Sequence, residues 1–249
     1  MQIKSNYIKP KFKKIYNPKV GLLALSTDLT IEKDFNSICN RLPVDVFVNR
    51  IHNENPLTKE NLLKMYKKIR PITEKILPGE KINTVAYGCT SGTIAIGENK
   101  VKEEIQLAKP SCYVTTPITS AIKAFEMMSI KKIAVFTPYP DSVNKTIYDY
   151  FSNKNIEVLS FGTFNLELDS DFANIDPEYL LETLIKLNMN GADALFISCT
   201  ALPALEIINE VEQKINKPVF SSNQTLIWDT IRSIGYKNAI EGYGQLFKK

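Results

Sequence analysis

The sequence predicts an α/β protein of two pseudo-symmetric lobes, each a parallel sheet flanked by helices, with the active site in the cleft between them. Three observations lead there. Short β-branched and aliphatic runs alternate with longer segments of helical apolar spacing, the rhythm that builds parallel sheets. No Gly/Ser linker or low-complexity tract divides the 249 residues, so any boundary is a tight crossover. The dipeptide Cys-Thr also recurs at two strand ends, as Cys89-Thr90 and Cys199-Thr200, so the second half roughly echoes the first.

Strands are read at Val20 to Leu25, Val44 to Asn49, Thr84 to Tyr87, Ser111 to Thr115, Lys132 to Phe136, Glu157 to Phe161, Ala192 to Ile197 and Pro218 to Ser221. Each is a short aliphatic or β-branched run closed by polar or Gly-rich turns. The segments that follow them, in the same order, are helices at Thr30 to Asn40, Thr58 to Leu77, Ser91 to Ala108, Ile118 to Met128, Ser142 to Lys154, Pro177 to Asn190, Ala204 to Ile215 and Asn223 to Ile234. Pro177 after Asp176 suits an N-cap followed by the first helical position, Gly191 closes a helix, and Pro218 follows a helix stop. Crossovers near Thr116-Pro117 and Ser221-Ser222 give a basic arm over 1–19, a first lobe over 20–117 plus 222–249, and a second over 118–221.

Composition excludes several functions. Six lysines (Lys4, Lys9, Lys11, Lys13, Lys14, Lys19) and no acid fall in the arm, which leaves 25 basic against 27 acidic residues in the body. The body is therefore no polyanion binder. The arm lacks Arg and an amphipathic repeat, and reads as solvated or loosely docked, with no nucleic-acid or membrane partner expected. No apolar run approaches the roughly 18 to 20 residues of a membrane span, and the first residues are too polar for a signal-peptide core, so the expected location is cytoplasmic. His52 is the single histidine and the four cysteines form no C-x-x-C, so neither a metal site nor imidazole-based hydrolysis is expected. Neither G-x-G-x-x-G nor G-x-x-x-x-G-K-[ST] is present, and no cofactor is expected.

The cysteines carry the positive argument. In parallel sheets the carboxyl ends of the strands form the binding crevice, so Cys89 and Cys199 are predicted to approach one cleft from opposite sides. A thiol at a helix N-terminus is expected to have a pKa lowered toward neutrality. One cysteine on each face of a planar carbon can remove a proton or add to the carbon while the other delivers a proton. Racemisation, epimerisation and cis-trans isomerisation all fit. Thr90, Ser91 and Thr200 supply hydroxyls beside helix-start N–H groups, an expected carboxylate site that also stabilises an enediolate. Cys39 and Cys112 read as inert buried thiols.

These residues resemble the aspartate/glutamate racemase superfamily, in the branch that holds maleate cis-trans isomerase, arylmalonate decarboxylase and ectoine-utilisation racemase-like proteins. The resemblance is carried by Gly21 to Asp28 with Thr30 and Glu32, by Gly88 to Gly92, by Thr137 to Asn144, by Ser198-Cys199-Thr200, and by the ending Trp228-Asp229 with Gly242 to Phe247. It implies an Asp/Glu racemase-like fold, cofactor-independent isomerisation or racemisation of a small carboxylate through Cys89 and Cys199, and a homodimer. It further implies substrate contacts from Ser26, Thr27, Asp28, Thr90, Ser91, Tyr139, Asn165 and Thr200. Two departures stand out. The decarboxylases have glycine where this chain has Cys89. Maleate isomerases commonly have asparagine where it has Asp28, an acid that attracts an ammonium and repels a second carboxylate.

Other readings remain open at this point. Asp28 can be a helix cap, Tyr139 a loop aromatic and Asn165 a turn residue. The substrate is an amino acid, an ectoine-breakdown product or a maleate-like diacid. The chain can also be a decarboxylase working through Cys199 alone, or a non-catalytic carboxylate sensor.

Overall fold

The computed structural model describes residues 5–13, 16–189 and 191–249; Lys4, Lys14 and Asn190 of the expected arm and helix lie outside them. In chain order the elements are β1 (Lys19–Leu25), α1 (Ile31–Cys39), β2 (Asp45–Ile51), α2 (Lys59–Lys64), α3 (Tyr66–Glu74), β3 (Thr84–Gly88), α4 (Thr90–Ile96), α5 (Glu98–Ala108) and β4 (Tyr113–Thr115). There follow α6 (Pro117–Met127), β5 (Lys132–Thr137), α7 (Asp141–Asn153), β6 (Glu157–Thr163), α8 (Asp169–Ala173), α9 (Pro177–Ile185) and β7 (Ala194–Ile197). The chain ends with α10 (Ile208–Ile215), β8 (Val219–Ser221) and α11 (Ser222–Ser233).

Among the described residues the strands form two four-stranded sheets, ordered β2-β1-β3-β4 and β6-β5-β7-β8, and every pairing is parallel. The two orders are the same pattern used twice. Central strands of such sheets are covered on both faces and must be apolar throughout. Accordingly β3 and β7 are buried along their whole length, whereas the edge strands β2 and β6 are only partly buried. In the second sheet Phe125 of α6 packs edge-on against Phe196 of β7 and Phe220 of β8, with centroids 5.8 and 5.0 Å away. The last helix, α11, returns to pack on α6 and β3.

Local chemistry explains the boundaries. Asp176 accepts the Tyr179 N–H at 2.9 Å to cap α9, and Ser221 forms a capping box with Gln224 at α11. Some expectations are corrected. The helix read over Thr58 to Leu77 divides at Met65, and the one over Ser91 to Ala108 divides at Gly97, whose φ of 99° no helix interior accepts. Between β6 and α9 the chain forms the short helix α8, which the sequence reading did not assign. After Cys199 the chain runs irregularly through a 3₁₀ turn at Leu205–Ile207 before α10, so the echo of the Cys89 junction stops at the strand end.

Candidate active site

Four central strands each deliver one residue at or just beyond their carboxyl ends: β1 leads to Asp28, β3 to Cys89, β5 to Tyr139 and β7 to Cys199. The loops that carry them are tied together across the two sheets. Ser222 Oγ, at the first turn of α11, bonds Thr90 Oγ1 at 2.8 Å and accepts the Cys199 N–H at 3.0 Å. Thr200 Oγ1 donates to the Gly88 carbonyl at 3.4 Å, Thr30 Oγ1 to the Ala201 carbonyl at 2.7 Å, and Asn223 Nδ2 to the Thr200 carbonyl at 2.7 Å. One buried hydroxyl thus holds both cysteine junctions.

Both thiols are buried, with Cys89 2% and Cys199 4% exposed. Cys89 Sγ accepts the Gly92 N–H at 3.2 Å, capping α4, and lies 3.9 Å from Ser91 Oγ. Cys199 Sγ accepts the Ala201 N–H at 3.4 Å, and the Tyr139 side chain hydrogen-bonds the same sulfur. The expected lowering of the thiol pKa is corrected. Burial outweighs the helix-start N–H and pushes Cys89 up to about 12, with Asp169 and Asp28 adding to the rise. Burial first, then the same two acids, hold Cys199 well above its ordinary range too. Both sulfurs therefore rest as thiols. Their two junctions meet at Ser222 Oγ.

The acids have unequal surroundings. Asp28 is fully buried, and its Oδ1 accepts the Thr30 and Ile31 N–H groups at 2.8 and 2.9 Å, which caps the start of α1. Its Oδ2 is buried and has no hydrogen-bond partner. Asp169, the first residue of α8, accepts Asn53 Nδ2 at 2.8 Å and the Thr27 hydroxyl through Oδ2. Burial raises the pKa of both carboxyls; the N–H groups of Ile31 and Thr30 and the Thr200 hydroxyl partly oppose this at Asp28, and Thr27 and Asn53 do so at Asp169.

The structure gathers Thr27, Asp28, Cys89, Thr90, Ser91, Tyr139, Cys199 and Thr200 into this region. It leaves out two expected residues. Asn165 is exposed at a left-handed turn with φ of 54°, its N–H bonded to Thr163 Oγ1, because β6 ends there and the chain must reverse. Ser26 is exposed as well, with its N–H held by the Ile51 carbonyl. Sequence reasoning missed Asp169, Asn53 and Ser222. Asp169 sits on a helix too short to show a period, and the Asn53 and Ser222 partners are remote in sequence. His52 is exposed, and among the described residues no three His, Cys, Asp or Glu side chains group as metal ligands.

This arrangement has parallels among known proteins. A maleate isomerase from Geobacillus stearothermophilus is 23% identical over 244 residues, 92% of this chain and 96% of that protein. An arylmalonate decarboxylase from Bordetella bronchiseptica is 26% identical over 136 residues, 53% of this chain and 57% of that one. Among solved structures, a Nocardia farcinica maleate cis-trans isomerase variant with a covalently bound succinylcysteine intermediate superposes with a TM-score of 0.85 at 17% identity, covering 93% of this chain and 98% of that chain. Residues 98–247, more than half of the chain and including Tyr139 and Cys199, match the arylmalonate decarboxylase family, and to that family the chain belongs.

Proposed function

We propose that the protein is a cofactor-independent isomerase of a small carboxylic acid, with Cys89 and Cys199 as the reacting groups. The observation that carries this reading is geometric: Ser222 Oγ bonds Thr90 Oγ1 at 2.8 Å and accepts the Cys199 N–H at 3.0 Å, which brings the two cysteine junctions together. In this reading Thr90, Ser91 and Tyr139 hold a carboxylate and the dioxyanion that develops on it, the role the family resemblance implies for them. The likeness to maleate isomerases over nearly the full chain supports the same class of chemistry.

Two schemes use this pair. In cis-trans isomerisation one thiolate bonds an alkene carbon while the π pair moves onto the adjacent carboxylate. Rotation about the new single bond follows; the pair then returns and the C–S bond breaks. In racemisation one thiolate takes the α-proton, the C–H pair enters the carboxylate as an enediolate, and the opposite thiol protonates the other face. Neither step changes oxidation state. The succinylcysteine in the Nocardia farcinica variant favours the first scheme for an unsaturated diacid.

Replacing either cysteine by serine is expected to lower turnover by about 10²-fold or more, the usual worth of a positioned acid or base. Intact-mass measurement after rapid quenching separates the schemes, since only the covalent one adds substrate mass to Cys89. Full activity in either serine variant would defeat the two-thiol reading. A second reading, decarboxylation through Cys199, draws on the family match, whose residues 98–247 include Cys199 and not Cys89. Cys89→Gly decides between them: decarboxylation of a malonate survives it and isomerisation does not.

A further inference from the structure

We infer that Asp34 is a positioning residue: a neutral Asp34 carboxyl, paired with the Asn223 amide, fixes the Thr200 carbonyl beside Cys199, and ionisation of Asp34 releases it. The inference rests on the two-thiol reading for the importance of the Cys199 loop. Its first support is a chain of short hydrogen bonds. Asn223 Nδ2 donates to Asp34 Oδ2 and to the Thr200 carbonyl, each at 2.7 Å. The amide thus joins α1 to the residue that follows Cys199. One turn before Asp34, whose N–H the Thr30 carbonyl accepts at 3.0 Å, Thr30 Oγ1 holds the Ala201 carbonyl as well.

The second support is an unmatched atom. Asn223 is 2% exposed, and its Oδ1 is buried without a hydrogen-bond partner. A buried amide oxygen calls for a donor. A carboxylate has none to give, whereas a protonated carboxyl carries one O–H. Asp34 already meets this amide through Oδ2, so its other oxygen, once protonated, donates back to Asn223 Oδ1 and closes a two-bond acid–amide pair. The surroundings keep the proton on. Burial, above all, pushes Asp34 up to about 8; Asn223 opposes the rise, Asp28 and Glu206 add to it, and Lys33 opposes it. Asp28 lies in the loop before α1, Glu206 in the 3₁₀ turn after Cys199, and Lys33 on α1 itself. Asp34 is half-buried and borders a cavity of about 340 Å³ with Thr30, Lys33, Ser37, Glu206 and Tyr243, through which it exchanges protons with solvent.

The two protonation states then differ at the reacting end of β7. With Asp34 neutral, two bonds fix the plane of the Asn223 amide, and its remaining N–H holds the Thr200 carbonyl. Ionisation removes the donor to Asn223 Oδ1 and sets a charge beside Asp28 and Glu206, so the pair parts and the tie to Thr200 loosens. The sign for stability follows from the proton. The unfolded chain releases it near the ordinary 3.8 and the folded one near 8. Stability therefore declines as pH rises between these values and is level above 8. Asp34→Asn reproduces the neutral acid, with an oxygen to accept and an N–H to donate, and has no proton to lose.

The test uses the whole protein beside Asp34→Asn, Asn223→Ala and the double substitution. In urea unfolding Asp34→Asn is expected to be more stable than wild type at pH 8, by a gap that grows about tenfold in the folding equilibrium per pH unit between pH 5 and 7. Hydrogen exchange of segment 199–202, read by mass spectrometry and corrected for the intrinsic effect of pH, follows the loop without substrate. Wild type is expected to exchange there about tenfold faster at pH 9 than at pH 7, as the ionised share of Asp34 rises, and Asp34→Asn equally at both. Asn223→Ala is expected to exchange fast at both, whether or not Asp34 is also replaced. With maleate as the probe substrate, wild-type kcat is expected to fall about tenfold per pH unit above 8 relative to Asp34→Asn, with KM little moved. An Asp34→Asn protein that is less stable than wild type at pH 8 or does not fold, a gap that ignores pH, loop exchange that ignores Asp34, or the same alkaline fall in kcat in both proteins overturns the inference. Absence of cysteine-dependent turnover in the wild type defeats the two-thiol reading instead, and the urea and exchange curves still decide the role of Asp34.

Discussion

Gly92 shows how narrowly the Cys89 sulfur is seated. A Cβ built there meets Cys89 Sγ at 2.7 Å, Met65 Cε at 2.8 Å and the Tyr87 hydroxyl at 3.1 Å, so any side chain displaces the sulfur that the Gly92 N–H holds. Gly92→Ala is expected to cost about 10²-fold in turnover, the penalty of misplacing a reacting group by about 1 Å. Steady-state kinetics beside a melting curve checks this: a variant that loses activity with little loss of melting temperature confirms a positioning role. At this scale the sequence was informative where a residue follows a strongly patterned strand. Cys89 and Cys199 stand within two residues of buried β3 and β7 and could be placed from the strand pattern, whereas Tyr139, two residues past β5, was found only through the family resemblance. Asp169 could not be placed, because it lies past the edge strand β6 in a stretch with no period, and the more conspicuous Asn165 nearby turns to solvent.

Elements extend this lesson. All eight strands were legible because parallel central strands are apolar runs, whereas the helix breaks at Met65 and Gly97 were not, since apolar spacing continues across both. The contribution of α11 was hidden altogether. Its periodicity announces a helix but not that Ser222, at its first turn, bonds Thr90 and the Cys199 N–H. Ser222→Ala leaves a buried hydroxyl and a buried N–H without their shared partner, a loss of about 1–3 kcal/mol. Urea unfolding is expected to show that destabilisation, and activity is expected to fall further than stability, because both thiol junctions lose their common tie. Ser222→Thr, which restores a hydroxyl, is the control. Unchanged kinetics in a folded Ser222→Ala protein would mean that the tie is dispensable for chemistry.

Over the whole molecule, burial of the cysteines makes stability depend on pH with a definite sign. Cys39 and Cys89 are pushed up to about 12 and Cys112 to about 11, in each case chiefly by burial, against an ordinary value of 9.0. The folded state therefore keeps thiol protons that the unfolded chain gives up as pH passes 9.0. Their contribution is complete below that point and declines above it, by up to about 1.4 kcal/mol per thiol for each pH unit inside the window. Urea midpoints are expected to fall on the alkaline side, and Cys39→Ala, remote from the reacting pair, is expected to flatten the fall without changing turnover at neutral pH. A midpoint that does not decline there would contradict the burial of these sulfurs. The position of Ser222 has one more consequence, which concerns synthesis. The hydroxyl that clasps both cysteine loops lies C-terminal to Asp28, Cys89, Tyr139, Asp169 and Cys199, so in vectorial synthesis the two junctions receive their common tie only after all of these have been made.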